Sequence, residues 1–380
     1  MLEKARTYRL FISVAEPSAD AHCAALVTAL RKSGYNIEFV GVGGAKMASA
    51  GCNLLATTTA KAAMTYNAFR HVFSFYRLIR RISRFFRSTK VDLVIVCDSP
   101  AFNFHIAKAA KKAHIKTLFY VAPQLWAWGS WRLAKLRKYC DKLCCILPFE
   151  QNWFAERGID AVFVGSPLLD GLPPDLGSWR KKYTDFEPKA AKIVLLPGSR
   201  AAEIDSLWPA FQQIAVRLKR KYPDATFTTV AVDKSGKQIL RSRQIPGFQC
   251  EYVAGSVSDT ARCADFAIAA SGSATLQTAA DGCPMVVMYQ SSRILWHLLG
   301  RWLLKTKYLS LVNILAAKEL VPEFMPYFGS IEPIVQRIEQ LLDDRAGLAR
   351  TSVELLKLVE PLRTGSASDK VAQIVLEMLA

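Results

Sequence analysis

Long apolar runs are missing from this chain: no window reaches the roughly 18 consecutive apolar residues that a membrane-spanning helix needs. The opening stretch MLEKARTYRLFISVAEPSAD lacks an apolar core followed by a small-residue cleavage site. Spanning and secreted proteins are therefore not expected, and a cytoplasmic placement is. Paired C-x-x-C spacings are missing too. Cys23, Cys52, Cys97, Cys140, Cys144, Cys145, Cys250, Cys263 and Cys283 are too sparse in 380 residues for a disulfide scaffold. Their one cluster, Cys140, Cys144 and Cys145, has no nearby His to complete a metal set, so buried free thiols are expected. The Walker pattern G-x-x-x-x-G-K-[ST] is absent. Acidic residues are in short supply, 32 against 50 Lys and Arg, which leaves a formal charge of +18. That imbalance calls for an anionic partner: nucleic acid, anionic lipid or a phosphorylated substrate.

What is present is a chain that is 51% hydrophobic and 22% charged, long enough for two domains with separate cores. Short apolar runs alternate with helical patterns: YRLFISVA, a helix-like DAHCAALVTALRK, IEFVGVGG, VDLVIVC, FHIAKAAKKA, IKTLFYVA, KLCCILP and AVFVG. This is the signature of β-α-β units and a mostly parallel sheet. The polar, proline-bearing stretch from Pro173 to Lys192 reads as a linker. A second series follows, from KIVLLPGSR through ATFTTVAV, FQCEYVA and DFAIAASGSA to PMVVMY, and the stretch from Ser330 to Ala380 reads as helical. The fold class expected is α/β, with two Rossmann-like doubly wound domains facing a cleft. The boundaries read are 1–175 for the first, 176–345 for the second, and 346–380 for C-terminal helices packing back on the first.

Doubly wound folds hold ligands at the carboxyl ends of their strands, so the loops after strands carry the candidates. KIVLLP runs into Gly198, Ser199 and Arg200, and a helix opens at once. Backbone N–H groups, a glycine that allows close approach and a guanidinium fork suit a diphosphate; a plain strand-to-helix turn with a surface arginine is the alternative. DFAIAA leads into Ser271, Gly272, Ser273, Ala274 and Thr275, again small residues opening a helix, suited to a second phosphate or a ribose. Gly41, Gly43 and Gly44 follow IEFV, but the third glycine of the dinucleotide fingerprint is missing, and the segment reads as a tight turn lining the cleft. VDLVIVC ends at Asp98, a carboxylate that can take a proton from a substrate hydroxyl or can cap the helix after Pro100. Glu16, Pro17, Ser18, Ala19 and Asp20 follow the first strand: an acceptor-binding loop, or a helix start with Ser18 or Asp20 as cap and His22 exposed.

Between Phe69 and Arg87 lies FRHVFSFYRLIRRISRFFR, six arginines among aromatic and aliphatic residues with no acidic partner. A helix of this kind fits an anionic lipid interface; a core helix with a solvated basic face is the alternative. SSRILWHLLGRWLLKTKYLSL repeats the mixture. So much aliphatic surface beside the charge favours a membrane surface over nucleic acid.

Several runs together resemble a known family. Glu16–Asp20, Gly41–Gly44 with Met47, Asp98–Asn103, the run YVAPQLWAW from Tyr120 to Trp128, Leu147–Glu150, Leu196–Arg200 with Glu203, Ser271–Leu276, Cys283–Val287 and Leu309–Ala316 are similar to motifs of bacterial lipid-A-disaccharide synthase, in the family's order across nearly the whole chain. The resemblance implies a GT-B glycosyltransferase that needs no metal or other cofactor and inverts configuration at the donor sugar. It implies UDP-2,3-diacylglucosamine as donor, 2,3-diacylglucosamine 1-phosphate as acceptor, and a β-1,6-linked disaccharide with UDP as products. By the same resemblance Asp98 is the general base on the acceptor 6-hydroxyl, and Arg200 with the Gly198 and Ser199 backbone holds the departing diphosphate. Glu203, Ser271, Gly272, Ser273, Ala274, Gln277 and Asn313 belong to the donor side, and Glu16, Ser18, Gly43 and Gly44 to the acceptor side. The implied location is the inner face of the cytoplasmic membrane, peripherally bound, with a homodimer left open. The chain departs from the family pattern at Ala19 (usually glycine), Gln277 (usually glutamate), Met64–Ala68 (usually Met-Gly-x-x-Glu-Val) and Pro326 (a region that usually has glutamine). The third departure removes an acidic residue from a first-domain loop and bears on the acceptor. A transferase with another acceptor and an inactive membrane-associated homologue are the competing functional readings.

Overall fold

The computed structural model describes residues 6–59, 68–172, 175, 179, 181, 183–291, 306–363 and 365–380, with the backbone alone for 68–73. Residues 64–67 of the altered segment, and most of the second basic-aliphatic stretch (292–305), lie outside the described residues. Contacts divide the chain into two compact units, Met1–Asp170 with Leu362–Ala380, and Gly171–Pro361.

The first unit holds seven strands: β1 (Tyr8–Val14), β2 (Ile37–Gly43), β3 (Asn53–Thr57), β4 (Leu93–Cys97), β5 (Lys116–Tyr120), β6 (Lys142–Cys145) and β7 (Ala161–Phe163). They lie in the order β3-β2-β1-β4-β5-β6-β7, and every neighbouring pair is parallel. The connections carry α1 (Pro17–Arg31), α2 (Ala45–Ser49), α3 (Ala68–Ser88), α4 (Pro100–Lys112), α5 (Leu133–Tyr139) and α6 (Pro148–Ala155). Side-chain alternation explains the layers. Leu10, Ile12, Leu93, Ile95 and Leu118 face one core with α1, while Phe11, Val94, Val96 and Phe119 face the other with α3 and α4. Strand β4, Leu-Val-Ile-Val-Cys, is buried at every position, as a parallel strand covered on both faces must be.

The second unit holds β8 (Lys192–Leu196), β9 (Thr226–Ala231), β10 (Glu251–Ala254), β11 (Phe266–Ala270), β12 (Met285–Met288) and β13 (Glu323–Phe324), in the order β10-β9-β8-β11-β12-β13, again all parallel. Its helices are α7 (Ala201–Lys221), α8 (Lys234–Ser242), α9 (Val257–Cys263), α10 (Ser273–Ala280), α11 (Leu311–Ala316), α12 (Glu332–Asp343) and α13 (Arg345–Val359). Trp208 of α7 is fully buried, meets Phe248 edge-on at 5.5 Å and donates its indole N–H to Leu240 O at 3.0 Å. Truncating a side chain so placed costs about 3–5 kcal/mol.

Helix α13 stays with the second unit, packed on α10, whereas the last helix, α14 (Ala367–Leu379), packs on α1 of the first. Asp170 holds the start of α14, accepting from Ala367 N (2.8 Å), Ser368 N (3.1 Å) and Ser368 Oγ (2.8 Å). All nine cysteines are free; six are buried, and burial raises the thiols of Cys52, Cys140, Cys144 and Cys283 to about 12.

In each sheet the winding direction reverses once. The reversal falls between β1 and β4 in the first, where Val14 pairs with Cys97, and between β8 and β11 in the second, where Leu196 pairs with Ala269. Doubly wound sheets bind ligands at such switch points. The loops that leave these four strands are Ala15–Glu16, Asp98–Ser99, Pro197–Arg200 and Ser271–Gly272.

Candidate active site

At the first switch point β4 ends in two consecutive non-glycine residues in the left-handed region, Asp98 (φ 51°) and Ser99 (φ 41°). Each such residue costs roughly 1–3 kcal/mol and persists only where its surroundings hold it. Here the holder is Asn103, fully buried one turn into α4. Its Nδ2 donates to Cys97 O (2.8 Å) and Asp98 O (2.7 Å), and its Oδ1 accepts from Ser13 Oγ on β1 at 2.7 Å. Asp98 N donates to Tyr120 O on the next strand (3.1 Å). The residue flanking α4 is Ser99, without a side-chain cap, so the half-buried Asp98 is not the helix cap that the sequence left open. Ser99 Oγ donates to Glu16 Oε1 at 3.3 Å, tying together the loops that leave β1 and β4.

Glu16 flanks α1, and neither Ser18 nor Asp20 caps it. Asp20 is instead buried, and its carboxylate accepts from Gly44 N (2.8 Å), Lys46 N (3.0 Å) and Met47 N (3.3 Å). A Cβ on Gly44 would lie 2.5 Å from Asp20 Oδ2, and one on Gly43 would lie 2.7 Å from the Met47 sulfur. The two glycines thus make room for an internal carboxylate at the start of α2. His22 is buried rather than exposed; burial first, and Lys46 last, lower its pKa to about 4 against the opposing pull of Asp170.

At the second switch point Gly198 takes φ +102°, and Arg200 flanks α7 with its side chain 61% exposed. Glu203, on the first turn, closes over this loop: Oε2 accepts from Ser199 N (3.0 Å) and Arg200 N (3.2 Å), and Oε1 lies 3.3 Å from Arg200 Nη1. On the neighbouring strand's loop Ser271 N donates to Met288 O (2.9 Å). Gly272 and Ser273 are exposed, while Ala274 and Gln277 are half-buried on α10. Asn313 is placed differently. It is fully buried, donating to Val321 O (2.8 Å) and accepting from Leu320 N (2.8 Å) and Val321 N (3.0 Å), so its amide is spent on holding the chain before β13.

Within the Tyr120–Trp128 run, Trp126 is buried and donates to Glu150 Oε1 at 2.9 Å. Glu150 also accepts from Ile146 N (3.2 Å) and Leu147 N (3.1 Å). Burial outweighs these bonds and raises its carboxyl to about 7. Trp128 (42%) and Trp131 (60%) are exposed, with the Arg132 guanidinium over both rings at 4.6 and 5.6 Å. Asn103 and Ser13 carried no assigned role in the sequence reading. An Asn three residues after the Asp-Ser-Pro run was the available signal.

Known proteins extend the picture. The family model described as Lipid-A-disaccharide synthetase matches residues 10–377. The chain is 32% identical to a lipid-A-disaccharide synthase of Psychromonas ingrahamii, across 98% of both chains, and 31% identical to one of Geobacter sulfurreducens, also across 98% of both. Among solved structures it is similar to a putative UDP-N-acetylglucosamine 2-epimerase from Listeria monocytogenes (TM-score 0.64, 10% identity, 97% of this chain and 96% of that one). It is also similar to the spinosyn rhamnosyltransferase SpnG (TM-score 0.61, 14% identity, 97% and 100%). At such identities these two structures speak to the fold alone, which is the two-sheet GT-B arrangement. With two switch points carrying the expected loops and a family match over almost its full length, the chain belongs to the lipid-A-disaccharide synthase family of glycosyltransferases.

Proposed function

We propose that this chain transfers the sugar of UDP-2,3-diacylglucosamine to the 6-hydroxyl of 2,3-diacylglucosamine 1-phosphate, with inversion, forming a β-1,6-linked disaccharide and UDP. The acceptor oxygen attacks the anomeric carbon while the bond from that carbon to the diphosphate oxygen breaks. The hydroxyl proton passes to Asp98, and the electron pair leaves with UDP. Arg200 and the backbone of Gly198 and Ser199 receive the charge that grows on the leaving diphosphate, where fixed donors act most strongly. Ser271, Gly272, Ser273, Ala274 and Gln277 enclose the nucleotide; Glu16 and Ser18 line the acceptor side.

The observation that carries this reading is the placement of Asp98, a half-buried carboxylate residue in a held left-handed turn at a topological switch point. Both substrates are acylated and anionic, which agrees with the chain's +18 charge and with a peripheral site on the inner face of the cytoplasmic membrane. Among the described residues no helix is long and apolar enough to cross a membrane.

The test is to incubate purified protein with both acylated glucosamine substrates. Equal amounts of UDP and disaccharide are expected, and Asp98→Ala should lower turnover by about 10²–10⁴-fold. UDP release without disaccharide would point to another acceptor, the reading that the altered Met64–Ala68 segment motivates. Wild-type turnover in Asp98→Ala would overturn the assignment of the base.

A further inference from the structure

We propose that Asn103, anchored by Ser13, is a positioning residue that sets the orientation of Asp98; this rests on the reading of Asp98 as the base. Successive carbonyls of an extended strand point in opposite directions, so one amide cannot reach two in a row unless the chain turns between them. The Asn103 amide does reach two in a row, Cys97 O at 2.8 Å and Asp98 O at 2.7 Å. The turn is the left-handed backbone of Asp98, a conformation uncommon for residues other than glycine, though Asp and Asn adopt it more readily than most. Both N–H groups of the amide are thereby used on the two peptides that flank the Asp98 side chain.

The other end of the clamp is as specific. Asn103 Oδ1 takes the Ser13 hydroxyl at 2.7 Å, and both residues are completely buried. Ser13 lies in the middle of the sheet, beside Val96 of β4, among apolar neighbours where a hydroxyl is costly unless it is paired. Cys97 O and Asp98 O can only accept, so Nδ2 must face them and Oδ1 is left to the Ser13 hydroxyl, which anchors the amide with its two donors on the Asp98 turn. Asn103 N also donates to Ser99 O at 3.0 Å, so the first turn of α4 closes on the residue next to Asp98. The donor loops belong to the other unit and share none of these bonds.

The experiment measures disaccharide formation by the full chain, with kcat, KM for the UDP-sugar and the kcat–pH profile for wild type, Asn103→Ala, Ser13→Ala and Asp98→Ala. For Asn103→Ala a fall in kcat of about 10²-fold is expected, with KM for the donor within about twofold. The acid limb of the profile should also move, because a released Asp98 sits among different dipoles. A merely structural role would reduce the amount of active protein and scale the profile without moving its limb. Ser13→Ala keeps both donors and loses only the anchor, so about a fivefold loss of kcat is expected, with the limb displaced in the same sense. If Asn103→Ala fails to fold, Ser13→Ala decides. Unchanged kcat and an unmoved limb in the folded variant overturn the proposal while Asp98→Ala remains inactive. An active Asp98→Ala would instead remove the base assignment, and this proposal with it.

Discussion

The Glu203 carboxylate lies 3.3 Å from the Arg200 guanidinium and takes the backbone N–H groups of Ser199 and Arg200. The proposed reaction gives Ser199 N–H and the Arg200 guanidinium to the departing diphosphate, so on that reading Glu203 and the nucleotide compete for both. Gly198 is shaped around the same contact, since a Cβ there would fall 2.5 Å from Glu203 Oε2. Glu203→Gln removes the competing charge and keeps an acceptor for the helix start. Because the loop is largely exposed, the gain is discounted to about 1 kcal/mol, or roughly fivefold tighter UDP binding. Calorimetric titration with UDP checks it, and unchanged or weaker binding would rule out the competition.

The parts of the molecule that were legible in the sequence share a physical cause. Strands such as Leu93–Cys97 and Phe266–Ala270 are buried at every position, so they stand out as unbroken apolar runs. Two of the four edge strands do not: Asn53–Thr57 is only partly buried, and Glu323–Phe324 is two residues long, and neither was anticipated, whereas the edge strands in AVFVG and FQCEYVA were. Loops at the switch points were visible through their glycines and serines. The Asn103 clamp was not, because it depends on left-handed backbone at two consecutive residues, Asp98 and Ser99, and the modest left-handed tendency of Asp alone does not announce such a pair. Asp20 and Asn313 illustrate the converse. Each sits among motif residues, yet the structure spends its side chain on bonds to the protein's own backbone.

That use of Asp20 leads to a stability prediction. Its carboxylate takes three N–H groups at the start of α2, a helix of five residues that has little stability of its own. Asp20→Ala leaves those donors unpaired, Gly44 N and Met47 N buried and Lys46 N partly so, and should cost about 3 kcal/mol. Asp20→Asn, which keeps one acceptor oxygen, should cost about half as much. Urea unfolding measures both, and a loss below about 1 kcal/mol in Asp20→Ala would show that water or neighbouring groups satisfy the turn.

Glu150 and His22 make opposite contributions to the pH dependence of the first unit. The Glu150 carboxyl, raised from an ordinary 4.5 to about 7, keeps its proton in the folded state and gives it up when unfolded, so its contribution is lost as pH rises from 4.5 to 7. His22, lowered from 6.5 to about 4, stays neutral when folded and takes a proton when unfolded, so its contribution is lost as pH falls from 6.5 to 4. Between about pH 5 and 6 the two nearly cancel. Glu150→Gln removes one partner, and the variant should then lose stability relative to wild type as pH falls, by up to roughly 1.4 kcal/mol per pH unit. Urea midpoints of both proteins at pH 5 and pH 6.5 test this; parallel pH dependences would contradict it.

The surface of α3 leads to the remaining prediction. Its described half is not basic on all sides: Ile82 and Phe86 are buried in the core, while Phe75 (40%), Tyr76 (52%) and the side chains of Arg77, Arg80, Arg81, Arg84 and Arg87 are exposed. Phe75 leans edge-on against Phe102 at 4.7 Å, and the Arg80 guanidinium covers the Tyr76 ring at 4.6 Å, so aromatic surface and positive charge are presented together. Such a face gains from both terms at an anionic bilayer, burying rings at the headgroup level while each arginine contributes about 1 kcal/mol. Wild type should therefore co-sediment with vesicles rich in anionic lipid at low salt and be released as salt screens the charge. Replacing Arg77, Arg80 and Arg81 by Gln removes three charges and should weaken binding by about 10²-fold, whereas Tyr76→Ala should weaken it less and leave the salt dependence steep. If wild type stays wholly in the supernatant at low salt, the exposed face of α3 is a solvated surface and the membrane reading fails.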